Sequence, residues 1–292
     1  MHESSRLKFE AFVYTYMQQA GDLNTRSVLD VGSRQTNEKS YSYRQELDTH
    51  GLKYTGIDIE AGFNVDIVPA NPYVWDEIAN ETFDFVISGQ AFEHNPFMWV
   101  TTAEIARVLK PGGMAFIVAP SAGKVHRYPF DCWRYFPDSW AALAAVTQLE
   151  LAESLREPAE LVERISGGRW VDSAAILRKP PFASKTDKKN FYDNLAGLTA
   201  PLKKRRYNVI PAAINEGPCF ARYFEVAMGM APIDRTERRA TRIAARRAAR
   251  KNEKTEGARL AKPQSEKPPV SNKKRAERIA ARRKARQLRH GA

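Results

Sequence analysis

The sequence predicts an α/β protein built on a doubly wound, mostly parallel sheet, and three observations carry that reading. Apolar runs of strand length, near residues 27–31, 54–59, 83–88 and 114–120, alternate with segments of helical periodicity. The first run, Ser27-Val28-Leu29-Asp30-Val31-Gly32, stops in an Asp and a Gly. At such a stop the chain turns tightly and a ligand can approach the backbone. The second run, Tyr54-Thr55-Gly56-Ile57-Asp58-Ile59, ends in an acidic side chain, placed where a carboxylate can accept both hydroxyls of a ribose.

Two cofactor classes compete for this pair of strand ends. A dinucleotide site wants Gly-x-Gly-x-x-Gly, so that a pyrophosphate sits on a helix N-terminus. Here Gly32 is followed by Ser33-Arg34-Gln35-Thr36, and the second and third glycines are missing. That argues against NAD. S-adenosylmethionine has a ribose but no phosphate and needs only one close approach, at Gly32. An ordinary core strand is the bland alternative for this stretch taken alone.

The elements follow in order. Phe9, Phe12, Val13, Tyr16 and Met17 mark one apolar face of a helix from about Ser4 to Ala20, stopped by Gly21. A polar segment, Ser33 to Tyr43, leads into a helix through about His50, stopped by Gly51. A short third strand is expected over Asn64 to Val68, then a loop at Pro69-Ala70-Asn71-Pro72-Tyr73, where two prolines oppose regular structure. Phe83-Asp84-Phe85-Val86-Ile87-Ser88 is the fourth strand, and Met98 to Leu109 a helix closed by the turn Lys110-Pro111-Gly112-Gly113. Met114 to Pro120 is the fifth strand. A helix is expected over Asp138 to Val146, and strands over Leu149 to Leu155 and Trp170 to Leu177. Within 180–232 only Asn208-Val209-Ile210 and Ala221 to Val226 read as ordered.

The charge divides the chain. Of the formal net +12, residues 233–292 carry +15, with 21 Lys and Arg against 6 Asp and Glu, so the body carries −3. Within this basic tail Arg239-Ala240-Thr241-Arg242-Ile243-Ala244-Ala245-Arg246-Arg247 returns as Arg275-Ala276-Glu277-Arg278-Ile279-Ala280-Ala281-Arg282-Arg283. Ala and Arg favour helix, but Pro263, Pro268 and Pro269 forbid one continuous helix, and one Ile per copy is too little to fold on. Disordered or transiently helical, residues 235–292 are expected to bind nucleic acid or another polyanion without sequence preference, or merely to solubilise. Three parts result: 1–179, a cofactor-binding domain; 180–232, an extension packed on it; and 233–292, the low-complexity tail. No run approaches the ~20 apolar residues of a membrane span. Met1-His2-Glu3-Ser4-Ser5-Arg6 lacks a signal peptide's apolar region, and Cys132 and Cys219 are too few for a disulfide framework or a cysteine zinc site. A cytoplasmic location is the expectation.

Four segments together, Val28-Leu29-Asp30-Val31-Gly32, Gly56-Ile57-Asp58-Ile59, Phe83-Asp84-Phe85-Val86-Ile87-Ser88 and Glu104-Ile105-Ala106-Arg107-Val108-Leu109-Lys110-Pro111-Gly112-Gly113, resemble a class I S-adenosylmethionine-dependent methyltransferase of the type 11-like subset. The resemblance covers roughly residues 25–120 and continues weakly to about 179. It implies a Rossmann-like sheet of seven strands, the last inserted antiparallel. It also implies that Asp30 and Gly32 lie beside the methionine portion and ribose, that Asp58 holds the ribose hydroxyls, and that Asn71 meets the adenine amine. Ser88, Gly89 and Gln90 would border the methionine portion. Glu93-His94-Asn95-Pro96 is also similar to a common feature of the family, in which His94 reads either as catalytic or as packing.

The segment His126-Arg127-Tyr128-Pro129-Phe130-Asp131-Cys132-Trp133-Arg134-Tyr135 resembles that of a subset of bacterial methyltransferases with poorly defined acceptors. Its chemistry offers His126 as a base, since histidine titrates nearest neutrality, with Asp131 to orient it and Arg127 or Arg134 to meet an anionic acceptor. The alternative is a structural Asp131–Arg134 ion pair with Trp133 in the core. No metal constellation is evident in the sequence. A hydroxyl of a small molecule or glycan is the expected acceptor. Two other readings stand: a nucleic-acid methyltransferase fed by the tail, or a non-catalytic polyanion-binding module on the same fold. Asn71-Pro72-Tyr73 is one Pro short of a base-amine methylation signature, and it follows the wrong strand.

Overall fold

The branched run 27–31 forms the strand from which the sheet is wound. The computed structural model describes residues 3–35, 41–166, 170–203 and 227–228. The chain divides into two units, Met1–Ala212 and Ala213–Ala292, and the sheet with its helices belongs to the first. The strands are β1 (Ser27–Val31), β2 (Lys53–Ile57), β3 (Phe83–Gly89), β4 (Leu109–Ala122), β5 (Glu150–Arg156) and β6 (Val171–Arg178). The helices are α1 (Glu3–Phe12), α2 (Tyr43–Thr49), α3 (Met98–Val108), α4 (Pro137–Thr147), α5 (Ala159–Ser166) and α6 (Lys185–Lys203).

One sheet of six strands runs β2-β1-β3-β4-β6-β5. β1 pairs in parallel with β2 and β3, and β3 in parallel with β4. β6 inserts antiparallel between β4 and β5, as expected for the last strand. The chain leaves β1 toward β2 on one side and returns to β3 on the other, so a crevice opens beyond the carboxyl ends of these strands.

Among the described residues the sheet has six strands, where seven were expected. Residues 64–68 make a single parallel bridge, Ile57 to Ile67, instead of a strand. The edge N–H of Gly56 that would continue the ladder donates to the Asp66 carboxylate at 2.8 Å, and Asn64 has a positive φ of 70° that interrupts extended backbone.

Two core layers hold the sheet. On one face Phe9, Phe12, Val13 and Met17 pack against Val28, Phe85 and Phe116, with Phe12 stacked on Phe116 at 5.2 Å. Each such side chain, fully buried, contributes on the order of 1.5–3 kcal/mol. The expected single helix through Ala20 is α1 followed by a π turn at Val13–Met17 and a 3₁₀ turn at Gln18–Ala20, with Gly21 at a φ of 91° ending it. On the other face Ile105, Trp140, Leu143, Phe191 and Leu195 close the core from α3, α4 and α6.

Other boundaries move for physical reasons. Lys110–Gly113 is an irregularity inside β4 more than a turn before it, because Leu109 already pairs with Phe83 and the register shifts beyond it. α5 occupies the stretch expected only to join two strands. α6, unread in the sequence, buries Phe191, Leu195, Thr199 and Leu202. It is tied down by Lys179, which is fully buried at the end of β6. The Lys179 ammonium donates to Leu109 O at 2.7 Å and to the Tyr192 hydroxyl at 2.9 Å, within 5.7 Å of the Phe182, Phe191 and Tyr192 rings. The Asn208–Ile210 and Ala221–Val226 expectations, and the tail with its repeat, lie outside the described residues.

Candidate active site

A cavity of about 820 Å³ opens at the carboxyl ends of β1 to β4. At one end lies Gly32, with a φ of 79° and so close to the next loop that a Cβ would sit 2.4 Å from Ala91 Cβ. Only a hydrogen fits there, and the two loops touch over it. Asp58, just past β2, accepts from Arg34 N at 3.0 Å through Oδ2 and from Glu60 N at 3.2 Å through Oδ1. One short contact per oxygen fixes the carboxylate and leaves each oxygen a further lone pair.

Asp30 is buried beside them. Burial pushes its carboxyl up to about 7, against the opposing pull of the Tyr54 hydroxyl, which donates to Oδ2 at 2.8 Å. The Tyr43 ring packs against Gly89, where a Cβ would meet its hydroxyl at 2.3 Å. Gln90 reaches the cavity at a φ of 59°, but its amide nitrogen is engaged by Ser5 Oγ and Asp172 Oδ1, each at 3.1 Å.

The other end is built from the turn Phe92–His94 and the long segment after β4. The Glu93 backbone carbonyl accepts from Cys132 N at 2.7 Å and Trp133 N at 3.3 Å, and the Tyr135 hydroxyl donates to Phe92 O at 3.0 Å. These bonds pin the segment to the turn and bring His126 against Glu93 and His94. Glu93 Oε1 lies 3.6 Å from His94 Nε2 and 3.9 Å from His126 Nε2, and the two imidazoles meet edge to face at 4.8 Å. Burial raises the Glu93 carboxyl to about 8, and among the described residues no other residue donates a hydrogen bond to either of its oxygens.

Burial likewise lowers the pKa of His94, whose Nδ1 lies 2.6 Å from Phe130 O. Asp131 accepts from His126 N at 2.7 Å and sits 3.6 Å from its Nδ1. Burial works to raise the Asp131 carboxyl, but the Arg134 guanidinium, at 2.5 and 2.9 Å, and the His126 N–H outweigh it and hold it below the usual range. The Asp131–Arg134 ion pair and the support of His126 thus coexist in one carboxylate. Trp133 is at the surface, not in the core, and its indole donates to Asn95 O.

Of the residues singled out in the sequence, Asp30, Gly32, Asp58, Gln90 and His126 line this one cavity, and Asp131 backs His126 from outside it. Asn71 and Ser88 do not line it. The Asn71 amide donates to Leu202 O of α6 at 3.0 Å and its carbonyl accepts from Tyr73 N, so the side chain is spent on the fold. Ser88 is fully buried, and its hydroxyl donates to Val31 O across the sheet.

Glu93, Tyr43 and Ser33 are the residues sequence reasoning did not assign. The buried hydroxyls of Ser33 and Tyr43 have no hydrogen-bond partner among the described residues, and both residues line the cavity with Glu93. The signal for Glu93 was a Glu-His pair just beyond a strand's carboxyl end. The sequence also shows no metal constellation, because His94 and His126 are far apart along it, whereas the fold gathers Glu93, His94 and His126 within 4.8 Å of one another.

Residues 40–117, from before α2 into β4, match the methyltransferase-domain family. None of the curated proteins matches the chain. Solved structures with a similar arrangement share little sequence. A 1,6-didemethyltoxoflavin-N1-methyltransferase from Burkholderia thailandensis, with bound 1,6-didemethyltoxoflavin and S-adenosylhomocysteine, is 14% identical, covering 61% of this chain and 89% of its own at a TM-score of 0.42. A SAM-dependent methyltransferase from Methanosarcina mazei is 15% identical, covering 57% and 99% at 0.42. One from Aquifex aeolicus is 14% identical, covering 61% and 99% at 0.41.

Proposed function

We propose, from the class I Rossmann-like methyltransferase domain that this chain carries, that it transfers a methyl group from S-adenosylmethionine to a hydroxyl of a small molecule or glycan. One observation carries the reading. The buried polar groups of Ser33, Tyr43 and Glu93 that lack partners all line a single cavity, between a ribose-type carboxylate at one end and a His–Glu cluster at the other. Buried polar atoms without partners are rare in folded proteins, and several around one cavity fit a polar ligand that satisfies them.

The residues present suit the cofactor. Gly32 leaves the close approach that a side chain would fill, Asp58 offers lone pairs for two vicinal hydroxyls, and Asp30, Tyr43 and Gln90 line the space between. S-adenosylmethionine supplies an electrophilic methyl group on a sulfonium. The protein's share is to hold the acceptor oxygen in line with that methyl, exclude water and remove the hydroxyl proton.

His126 is positioned for the last task. It stands in the wall of the cavity, with Asp131 fixing the loop through the His126 N–H and facing Nδ1, so that Nε2 is left toward Glu93 and the cavity. It takes the proton as the oxygen attacks, and the charge it gains is stabilised by Asp131. An amine acceptor would need no such base once deprotonated, and the two imidazoles beside a carboxylate therefore favour oxygen.

The test is transfer of label from S-adenosylmethionine into fractionated small-molecule, glycan and nucleic-acid pools. Label in a hydroxyl-bearing small molecule or glycan is expected. His126→Ala should cut turnover by about 10²–10⁴ while leaving cofactor affinity intact. Full turnover in that variant removes His126 as the base, and label confined to nucleic acid removes the acceptor class.

A further inference from the structure

We propose that Glu93, His94 and His126 form a site for one divalent transition-metal ion of the zinc class, at the acceptor end of the cavity. Three separate features of the cluster point to an ion.

The spacing is the first. Glu93 Oε1 faces His94 Nε2 at 3.6 Å and His126 Nε2 at 3.9 Å. These separations are too long for hydrogen bonds, which fall at about 2.7–3.2 Å. They are close to the edges of a coordination shell, because ligands about 2.0–2.2 Å from one tetrahedral ion stand roughly 3.3–3.6 Å apart. All three ligand atoms lie within 4.8 Å of one another, so a side-chain shift of well under an ångström to about one ångström closes the set.

The second feature is the outer shell. A metal-bound imidazole donates its other ring N–H to a carbonyl or carboxylate, which fixes the tautomer and orients the lone pair. His94 Nδ1 lies 2.6 Å from Phe130 O, and His126 Nδ1 has Lys124 O at 3.3 Å and the Asp131 carboxylate at 3.6 Å. In both rings Nε2 is the atom left over, and both Nε2 atoms face the same carboxylate oxygen. Arg134 in turn holds Asp131 from behind.

Third, the Glu93 side chain is fully buried, and among the described residues no other residue donates to either of its oxygens. A buried carboxylate without donors is costly, and a cation supplies what the protein does not. Two imidazoles and one carboxylate suit zinc, cobalt, nickel or iron(II), whereas calcium and magnesium take oxygen ligands. With three protein ligands, and the cavity wall open beside them, further coordination positions face the acceptor space, as in metal sites that work on a substrate oxygen.

The site itself does not depend on methyl transfer, but its effect on turnover rests on the assignment of His126 as the base of that reaction. A bound ion occupies the His126 Nε2 lone pair that would otherwise accept the acceptor's proton. Loading the site therefore lowers turnover if His126 is the base. Should loading raise turnover instead, the ion activates the acceptor oxygen and the base assignment fails, while the metal site stands.

The experiment uses the full chain, stripped with chelator and titrated with Co²⁺. Visible absorbance reads the ligand field, elemental analysis reads stoichiometry, and Zn²⁺ serves as competitor. One Co²⁺ per chain, displaced by Zn²⁺, is expected. The band should vanish in Glu93→Gln and in His126→Ala, and persist in His290→Ala, which removes a tail histidine. Asp131→Asn should weaken binding about 10–100-fold through the outer shell. Glu93 is a core residue, so its variant counts only with an unchanged circular dichroism spectrum; His126 is partly exposed and gives the decisive substitution. Absence of stoichiometric binding, or a band unchanged in folded His126→Ala, overturns the proposal.

Discussion

Asp58→Ala is the perturbation that isolates the proposed ribose end of the cavity. In the folded protein each Asp58 oxygen accepts one backbone N–H, from Arg34 at 3.0 Å and from Glu60 at 3.2 Å. Both donors are exposed residues, so water replaces the lost acceptor and the structural cost stays small. On the proposed cofactor reading, the substitution removes the pair of charge-assisted bonds to the ligand's vicinal hydroxyls. Hydrogen bonds to a charged group are worth roughly 1.5–3 kcal/mol, which corresponds to about 10–150-fold in affinity. Isothermal titration with S-adenosylhomocysteine measures it directly, and Asp58→Asn serves as a partial variant that retains one acceptor oxygen. The order expected is wild type, then Asn, then Ala. An Ala variant that is folded, with unchanged affinity, would refute the assignment of the ribose site.

Three further outcomes rest on particular residues. Gly32→Ala combines a φ of 79° with a Cβ placed 2.4 Å from Ala91 Cβ, so it should destabilise the protein by about 1–3 kcal/mol and weaken cofactor binding, read by thermal melting and titration. Burial lowers the pKa of Lys179 to about 7, from an unfolded value near 10.5, so the unfolded chain binds more protons between these limits. The Lys179 contribution should therefore rise from pH 7 to 9.5, by up to about 1.4 kcal/mol per unit, and denaturant melts of Lys179→Met should lack that slope. Removing residues 233–292 deletes a net charge of +15. Full-length chain should bind mixed-sequence RNA with an affinity that falls about 10³-fold or more between 50 and 200 mM salt, for some six phosphate contacts, and the truncated chain should show no such binding. Salt-insensitive RNA binding by the truncated chain would place the contact in the body.

The strand-end residues were legible because their placement is local. Asp30, Gly32 and Asp58 each sit at a strand's carboxyl end, and a strand end can be read from a few consecutive residues. The outer strand was not legible in the same way. Residues 64–68 have strand composition, but the Asp66 carboxylate takes the edge N–H of Gly56 while the Asp66 and Ile67 N–H groups both donate to Gly56 O, so the pairing stops at one bridge. Ser88 and Asn71 show a different difficulty. A one-residue step along β3 separates Ser88, which bonds inward to β1, from Gly89 at the rim, and nothing in the composition marks that step. The Asn71 amide is claimed by α6, a helix of mostly polar sequence with a Pro inside it, whose buried stripe of Phe191, Leu195 and Leu202 is sparse.

The Glu93 end of the cavity depends on a contact between distant segments, and the bond that makes it is a backbone bond. The Glu93 carbonyl accepts from Cys132 N and Trp133 N, which seats the segment carrying His126, while the Glu93 side chain enters the cavity from the same residue. One residue thus performs two separable tasks. Substituting the side chain leaves the carbonyl and its two donors in place, so the loop that presents His126 keeps its anchor. Glu93→Gln is nearly isosteric and removes only the ionisable oxygen, and with it the cost of the buried carboxylate form that appears above pH about 8. The variant should accordingly be as stable as the wild type or more so. The opposite result, a protein destabilised by several kcal/mol, would mean that the Glu93 carboxyl holds the fold together and that the cluster serves packing before chemistry.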